Sequence, residues 1–202
     1  MSKASSIIFV REWTKNRFFK DLNISSNHEK VYVVYPSVNK KRFCDKKEKI
    51  ILFVGKLNRS KGYDLFCSSV IRILDKYPQW KAYVIGDEPR EKFDYNHDRL
   101  FKLGFLAHKK VLNYYSKASI AVGCSQWQEP LGRIGLESSS RGCATIVSNR
   151  GGLPETTGEA IILKNLDIDS LYRSIRYLIK NRKERNLIQK KSTLLGLLLV
   201  VV

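Results

Sequence analysis

The chain has 202 residues, 43% of them hydrophobic, which is enough to bury one sizeable core and too many for a disordered tail. Lysine and arginine number 37 against 19 acidic residues, and the resulting net charge of +18 favours anionic partners: phosphorylated ligands, acidic membrane surfaces or nucleic acid. The apolar runs at the two ends, Ile7-Ile8-Phe9-Val10 and Leu194 to Val202, are too short for a secretory h-region and for the roughly 20 residues that span a bilayer.

Residues 1 to 44 open with a strand-like run at Ile7 to Val10, a basic amphipathic piece reaching Leu22, and a second apolar run, Val31 to Tyr35, before Pro36. They read as the end of something else. From there the pattern becomes regular. Ile50 to Val54 closed by Gly55, and Ala82 to Ile85 closed by Gly86, are continuous apolar runs of the kind found in buried parallel strands. Between them Leu65, Phe66, Val70, Ile71, Ile73 and Leu74 recur at helical spacing until Pro78 stops them, completing a βαβ unit. A short helix at Val111 to Tyr115, a strand at Ser119 to Val122, a helix at Arg133 to Arg141 and a strand at Ala144 to Val147 follow. A strand at Ala160 to Leu163 and a helix from Ser170 to Ile179, with Asp169 as its N-cap, end the series. The alternation predicts a Rossmann-like α/β fold, an open parallel sheet with helices on both faces and ligands at the carboxyl ends of the strands.

Three loops fall at such strand ends. Gly55-Lys56-Leu57-Asn58-Arg59-Ser60-Lys61-Gly62 places several cations where a diphosphate would sit, although an exposed basic loop has the same composition, and neither the P-loop nor the dinucleotide fingerprint is present. Gln128-Glu129-Pro130-Leu131-Gly132-Arg133-Ile134-Gly135-Leu136-Glu137 is a glycine turn opening a helix, with two carboxylates suited to sugar hydroxyls beside N–H groups suited to phosphate. Taken alone, the same spacing fits a solvated loop charge and an exposed helix residue. Gly151-Gly152 allows a close backbone approach at the same edge, or is an ordinary connection.

The remaining chemistry-bearing residues are less pointed. Cys44, Cys67, Cys124 and Cys143 show no CxxC pair or histidine cluster and read as free thiols in a reducing cytosol. Asp167-Ile168-Asp169 is a DxD string, but its place before a helix makes it a cap and not a metal site. Neither His28 nor His97 matches a catalytic position, and His108 reads as a loop or cap residue. The basic runs, Lys40-Lys41-Arg42 with Lys46, Lys47 and Lys49, and Arg176 to Lys191, are solvated faces or a surface for an anionic membrane; they lack the interleaved aromatics that stack on bases, so no nucleic-acid partner is expected.

In order, Tyr35-Pro36-Ser37-Val38-Asn39, Val54-Gly55-Lys56 with Lys61-Gly62, Gly104-Phe105-Leu106, the Glu129 to Glu137 pair and Gly151-Gly152-Leu153-Pro154-Glu155 resemble the carboxyl-terminal domain of the retaining glycosyltransferases of family 4, over roughly residues 31 to 185. The resemblance implies the carboxyl-terminal half of a GT-B fold, with residues 1–44 a remnant of the acceptor domain and linker, 45–192 the nucleotide-sugar domain and 193–202 an apolar tail unlike the family's closing helix. It implies that Lys56 and Lys61 hold the donor diphosphate, that Glu129 faces the transferred sugar, and that Glu137 binds the ribose. Gly55 and Arg59 would flank the phosphates, Gly132, Arg133 and Ile134 would offer N–H groups, Phe105 and Leu106 would lie where the base is read, and Gly151 and Gly152 would close the site. Two positions depart from the family pattern: Lys56 stands where arginine is usual, and Leu131 replaces phenylalanine.

The implied activity is transfer of a sugar, with retention, from a nucleoside-diphosphate donor to a glycan or lipid-linked acceptor in cell-surface polysaccharide or lipopolysaccharide assembly. No cofactor or metal is expected. The expected setting is the cytoplasm, at the inner face of an anionic membrane, and the chain reads as half an enzyme: a gene fragment, a frameshifted or truncated reading, or one half of a split protein whose amino-terminal half is separate. A non-catalytic nucleotide-binding or partner module is the competing expectation.

Overall fold

The computed structural model describes residues 5–25, 30–38 and 46–195. Lys40 to Arg42, Asn39, Cys44, His28 and residues 196–202 of the tail therefore lie outside the described residues.

Strands β1 (Ile7–Phe9) and β2 (Val31–Val33) flank helix α1 (Glu12–Asp21) and pair in parallel, Ile7 opposite Val31 and Phe9 opposite Val33. Phe9, Phe18 and Phe19 pack together beneath them, with ring centroids 5.3 to 5.9 Å apart. The opposite face carries Ile8, Val10, Tyr32 and Val34, all exposed.

The main body is built from β3 (Glu48–Val54), α2 (Tyr63–Lys76), β4 (Lys81–Ile85), β5 (Leu100–Lys102), α3 (His108–Lys117), β6 (Ala118–Gly123), α4 (Arg133–Ser140), β7 (Ala144–Ser148), β8 (Ala160–Leu163), α5 (Ile168–Lys180) and α6 (Arg182–Leu195). Its six strands are all parallel, in the order β5-β4-β3-β6-β7-β8. This is the Rossmann-like sheet that the sequence predicts. The chain runs outward from β3 to β5, returns to place β6 beside β3, and runs outward again to β8, so the order reverses between β3 and β6. A crevice opens at such a reversal because successive connections leave on opposite faces of the sheet.

Alternation along β3 feeds two cores. Ile51 and Phe53 point to the side of Phe66, Val70, Ile73 and Leu74 from α2 and Leu171, Ile175 and Leu178 from α5. Ile50 and Leu52 point to the other, with Val111 and Tyr115 from α3. Strand β6 is buried throughout, as a central parallel strand must be when helices cover both faces.

Two elements escape the sequence pattern. β5 is only three residues long, and α6 was read as part of a basic run. That run is in part structural: Gln189 Nε2 donates to the Ser119 carbonyl at 2.8 Å, and Arg185 Nη1 donates to Leu178 O at 2.6 Å while its guanidinium lies 5.4 Å from the centre of the Trp80 ring. The cap of α5 also differs from expectation. Asp167, not Asp169, accepts the Ser170 N–H at 2.6 Å, so the helix begins at Ile168, and Asp169 sits inside the first turn paired with Arg72.

Cys67, Cys124 and Cys143 are free and buried. Burial pushes the Cys67 thiol up to about 12 and the Cys143 thiol up to about 11, and raises Cys124 further still. A raised native pKa favours the folded state fully below the ordinary thiol value of 9.0, and the contribution is lost as pH climbs through 11 to 12. Peptide-resolved alkylation at mildly alkaline pH should leave these three thiols unmodified in the native chain and label them in urea; labelling of any of them without unfolding would contradict this packing.

Candidate functional site

A cleft of about 330 Å³ opens at the carboxyl ends of β3 and β6, the position of the strand-order reversal. After β3 the chain turns through Gly55 into a single 3-10 turn, Arg59 to Lys61, capped by the Asn58 side chain, which accepts the Lys61 N–H at 3.0 Å. The Ser60 carbonyl accepts the Gln126 N–H at 2.8 Å, which ties this loop to the one leaving β6. Lys61 is thereby carried to the mouth of β6.

Glu129 is 7% exposed. Its Oε1 receives the Lys61 ammonium and lies 2.7 Å from the Ser125 hydroxyl, whose single proton is shared with the Ser60 carbonyl at 2.9 Å. The Lys61 ammonium also lies 5.6 Å from the centre of the half-exposed Trp127 ring. Glu137 is 6% exposed and is held in the same manner: Arg133 Nε and His108 Nε2 each lie 3.0 Å from its Oε1. Among the described residues neither carboxylate has a partner on Oε2. Each acid is thus fixed by one oxygen and keeps the other as an acceptor for a hydroxyl.

Between the two acids, Gly132 adopts φ +63°, and a Cβ there would lie 2.5 Å from Leu153 Cδ1. This left-handed residue starts α4 abruptly, so that Gly132, Arg133 and Ile134 line the cleft at the end of the helix where first-turn N–H groups lack intrahelical partners. The Tyr115 ring closes the inner wall, and its hydroxyl has no partner among the described residues. Burial first, and the field of Glu137 second, raise its pKa well above normal, which keeps it protonated.

Of the residues singled out in the sequence, Gly55, Lys61, Glu129, Gly132, Arg133, Ile134 and Glu137 line this one cleft. Gly151 and Gly152 lie behind it: Gly152 N–H donates to Glu129 O at 2.7 Å, and Gly151 N–H to Gln128 Oε1 at 2.6 Å. Lys56, Arg59 and Phe105 are exposed beyond the lining, Leu106 packs into the α3-side core, and Leu131 is half-buried. Ser125, Trp127, Tyr115 and His108 take part without having been foreseen as site residues. Each meets its partner through the tertiary fold or from a loop, and His108 reaches Glu137 across 29 positions, so no local spacing signals it.

The sheet, its order reversal and the cleft define a Rossmann-like domain. The chain belongs to the glycosyl transferases group 1 family, whose sequence profile matches residues 36–194. Among curated relatives, spore coat protein SA of Bacillus subtilis is 30% identical over 125 residues, covering 55% of this chain and 33% of that protein. An uncharacterized 41.2 kDa protein in the cps region of Klebsiella pneumoniae is 26% identical over 175 residues, covering 80% of this chain and 48% of that one. The chain thus spans a third to a half of their length. The crystal structure of Anabaena HepE in complex with UDP superposes with a TM-score of 0.80 at 17% identity, over 96% of this chain and 59% of HepE, and shares the fold.

Gly151 has φ +60°, and a Cβ there would lie 2.3 Å from Glu129 O. Gly151→Ala should therefore cost about 1–3 kcal/mol in urea unfolding, because a side chain in the left-handed region is strained and the Glu129 loop must shift. A change within measurement error would mean that the loop is looser than this packing.

Proposed function

We propose that this domain is the donor-binding half of a retaining glycosyltransferase of family 4, which takes a sugar from a nucleoside diphosphate. The observation that carries the proposal is the pair of buried carboxylates, each fixed by one oxygen, facing a lysine and the opening turn of a helix. Glu137 would accept the ribose hydroxyls and Glu129 a hydroxyl of the transferred sugar. Lys61, with Lys56 and Arg59 swinging in from the loop, would meet the diphosphate alongside the N–H groups of Gly132 to Ile134. As the nucleoside diphosphate departs, negative charge grows on its oxygens, and fixed cations and helix N–H groups in a cleft partly shielded from water stabilise that charge without a metal or cofactor. Phe105 and Leu106 would border the base, and Gly151 and Gly152 would hold the Glu129 loop. Support comes from HepE, whose structures contain UDP and UDP-glucose.

The acceptor would be a glycan or lipid-linked sugar in cell-surface polysaccharide assembly, a reading that the relatives in cps regions support, and the setting would be the cytoplasmic face of a membrane. Residues 1–44 would be the close of the acceptor-binding domain, 45–192 the donor domain and 193–202 an apolar extension. An amino-terminal half, in the same polypeptide or a separate one, would complete the enzyme. The exposed apolar face of β1 and β2 supports this, since a two-stranded parallel sheet needs cover on both sides. The second reading is a nucleotide-binding module without transfer activity.

Calorimetric titration with UDP, GDP and ADP should show selective binding, and Glu137→Ala should weaken it by about 1.5–3 kcal/mol, the loss expected for a hydrogen bond to a charged group. Unchanged affinity in the variant would remove Glu137 from the donor site. Binding that persists with no transfer when the amino-terminal half is added would favour the module.

A further inference from the structure

A second concavity of about 330 Å³ lies at the other end of the sheet. It is lined by Lys47, Lys49, Ser119, Arg182, Arg185, Asn186, Gln189 and Lys190, five cations and no carboxylate. Lys49 and Ser119 stand at the amino ends of β3 and β6, the strands whose carboxyl ends carry the donor cleft. Seven residues of strand separate the two ends of β3, about 20 Å. We propose that this pocket binds a phosphate-bearing anion, independently of the donor cleft.

The floor of the pocket is fixed without any ligand. Lys47 Nζ donates to the carbonyls of Tyr115 at 3.1 Å, Ser116 at 2.8 Å and Arg141 at 2.5 Å. Arg185 donates to Leu178 and Ile179, and Gln189, 3% exposed, donates to Ser119. These bonds hold two charges and an amide in place at the carboxyl ends of α3, α4 and α5. The rim is different: Lys49, Arg182 and Lys190 are exposed and form no ion pair among the described residues. Like charges gathered in one concavity repel one another and focus a positive potential, and an anion relieves both. Ammonium, guanidinium and amide donors around one pocket suit an anion with several oxygens, and the lining offers no aromatic ring on which a nucleoside base could stack. The chemistry is that of a phosphate group, carried by a soluble diphosphate or by a lipid headgroup.

Pyrophosphate titration of the full chain, followed by backbone amide NMR, should shift Ser119, Arg182 and Gln189 with a saturation curve separate from that of Gly132 and Ile134. The triple variant Lys49→Gln, Arg182→Gln, Lys190→Gln should lose the first set of shifts at least tenfold in affinity. The charge-conserving triple, Lys49→Arg, Arg182→Lys, Lys190→Arg, should keep them. Cosedimentation with vesicles of equal parts phosphatidylglycerol and phosphatidylcholine separates the sources. Loss of the pyrophosphate shifts in the glutamine variant identifies a soluble anion, and loss of vesicle binding alone identifies a lipid headgroup. Wild-type shifts confined to Gly132 and Ile134, with vesicle binding equal in wild type and variant, overturn the proposal. Should the glutamine triple fail to fold, Lys190→Glu alone carries the same comparison.

Discussion

A carboxylate removed from water needs a compensating charge, and the cleft depends on how that need is met at Glu129. Its partner Lys61 comes from the loop after β3, and its second contact, Ser125, comes from the loop after β6. The ion pair therefore joins the two strands at which the sheet order reverses. Without it the β3 loop would keep the Ser60 carbonyl contacts to Gln126 and Ser125 but would leave an unbalanced charge in the wall of the cleft. The backbone of Glu129 is fixed from a third direction, by the Gly152 N–H that follows β7. Three successive strand ends thus converge on one acid, and the start of α4, which carries the other acid, is placed as a result.

The main sheet was legible because most of its strands are continuous apolar runs, three of them closed by Gly55, Gly86 and Gly123, and burial on both faces imposes such runs. β5 was not, since Leu100-Phe101-Lys102 is too short to display any period. α6 was obscured for a different reason. Its buried positions include Gln189 and Ser192, whose side chains donate to the backbone of Ser119 and Glu159, so part of its inner face is polar and no apolar stripe marks it. In the cleft, the glutamates, Lys61 and the glycine turn announced themselves through local motifs. His108 and Tyr115 did not, because their place beside Glu137 is a product of how α3 packs against α4. Sequence spacing carries what lies within one element or loop, and contacts between elements escape it.

Charge follows the same division. The cleft at the carboxyl ends of β3 and β6 sets Lys61 and Arg133 against two acids, while the pocket at the opposite end of the sheet gathers cations with no acid in its lining. The helices contribute to this polarity. α4 presents its positive, amino-terminal end to the cleft, and the carbonyl ends of α3, α4 and α5 gather round the other pocket, where Lys47 and Arg185 cap them. Lys47 and Arg185 thus serve the fold, as neutralisation of helix carboxyl ends, and within this pocket it is Lys49, Arg182 and Lys190 that stand exposed.

The amino-terminal segment is coupled to the same loops. Glu155, four residues past Gly151, accepts the N–H groups of Glu12 and Trp13 at 3.1 and 2.9 Å, so a side chain from the loop after β7 caps a helix more than 140 positions away. Thr14 Oγ1 donates to Pro130 O at 3.1 Å, reaching the residue next to Glu129. Arg11 is wholly buried between them, its guanidinium 5.0 Å from the centre of the Tyr35 ring and without a hydrogen-bond acceptor among the described residues. Burial lowers its pKa, and the charge of Glu155 opposes that shift. Glu155 therefore serves two cationic ends at once, the helix dipole of α1 and the Arg11 side chain. A displacement of α1 would uncap the helix, separate Arg11 from Glu155 and pull on Pro130 together. The segment around α1 and the loop that holds Glu129 are thus joined through the same few contacts.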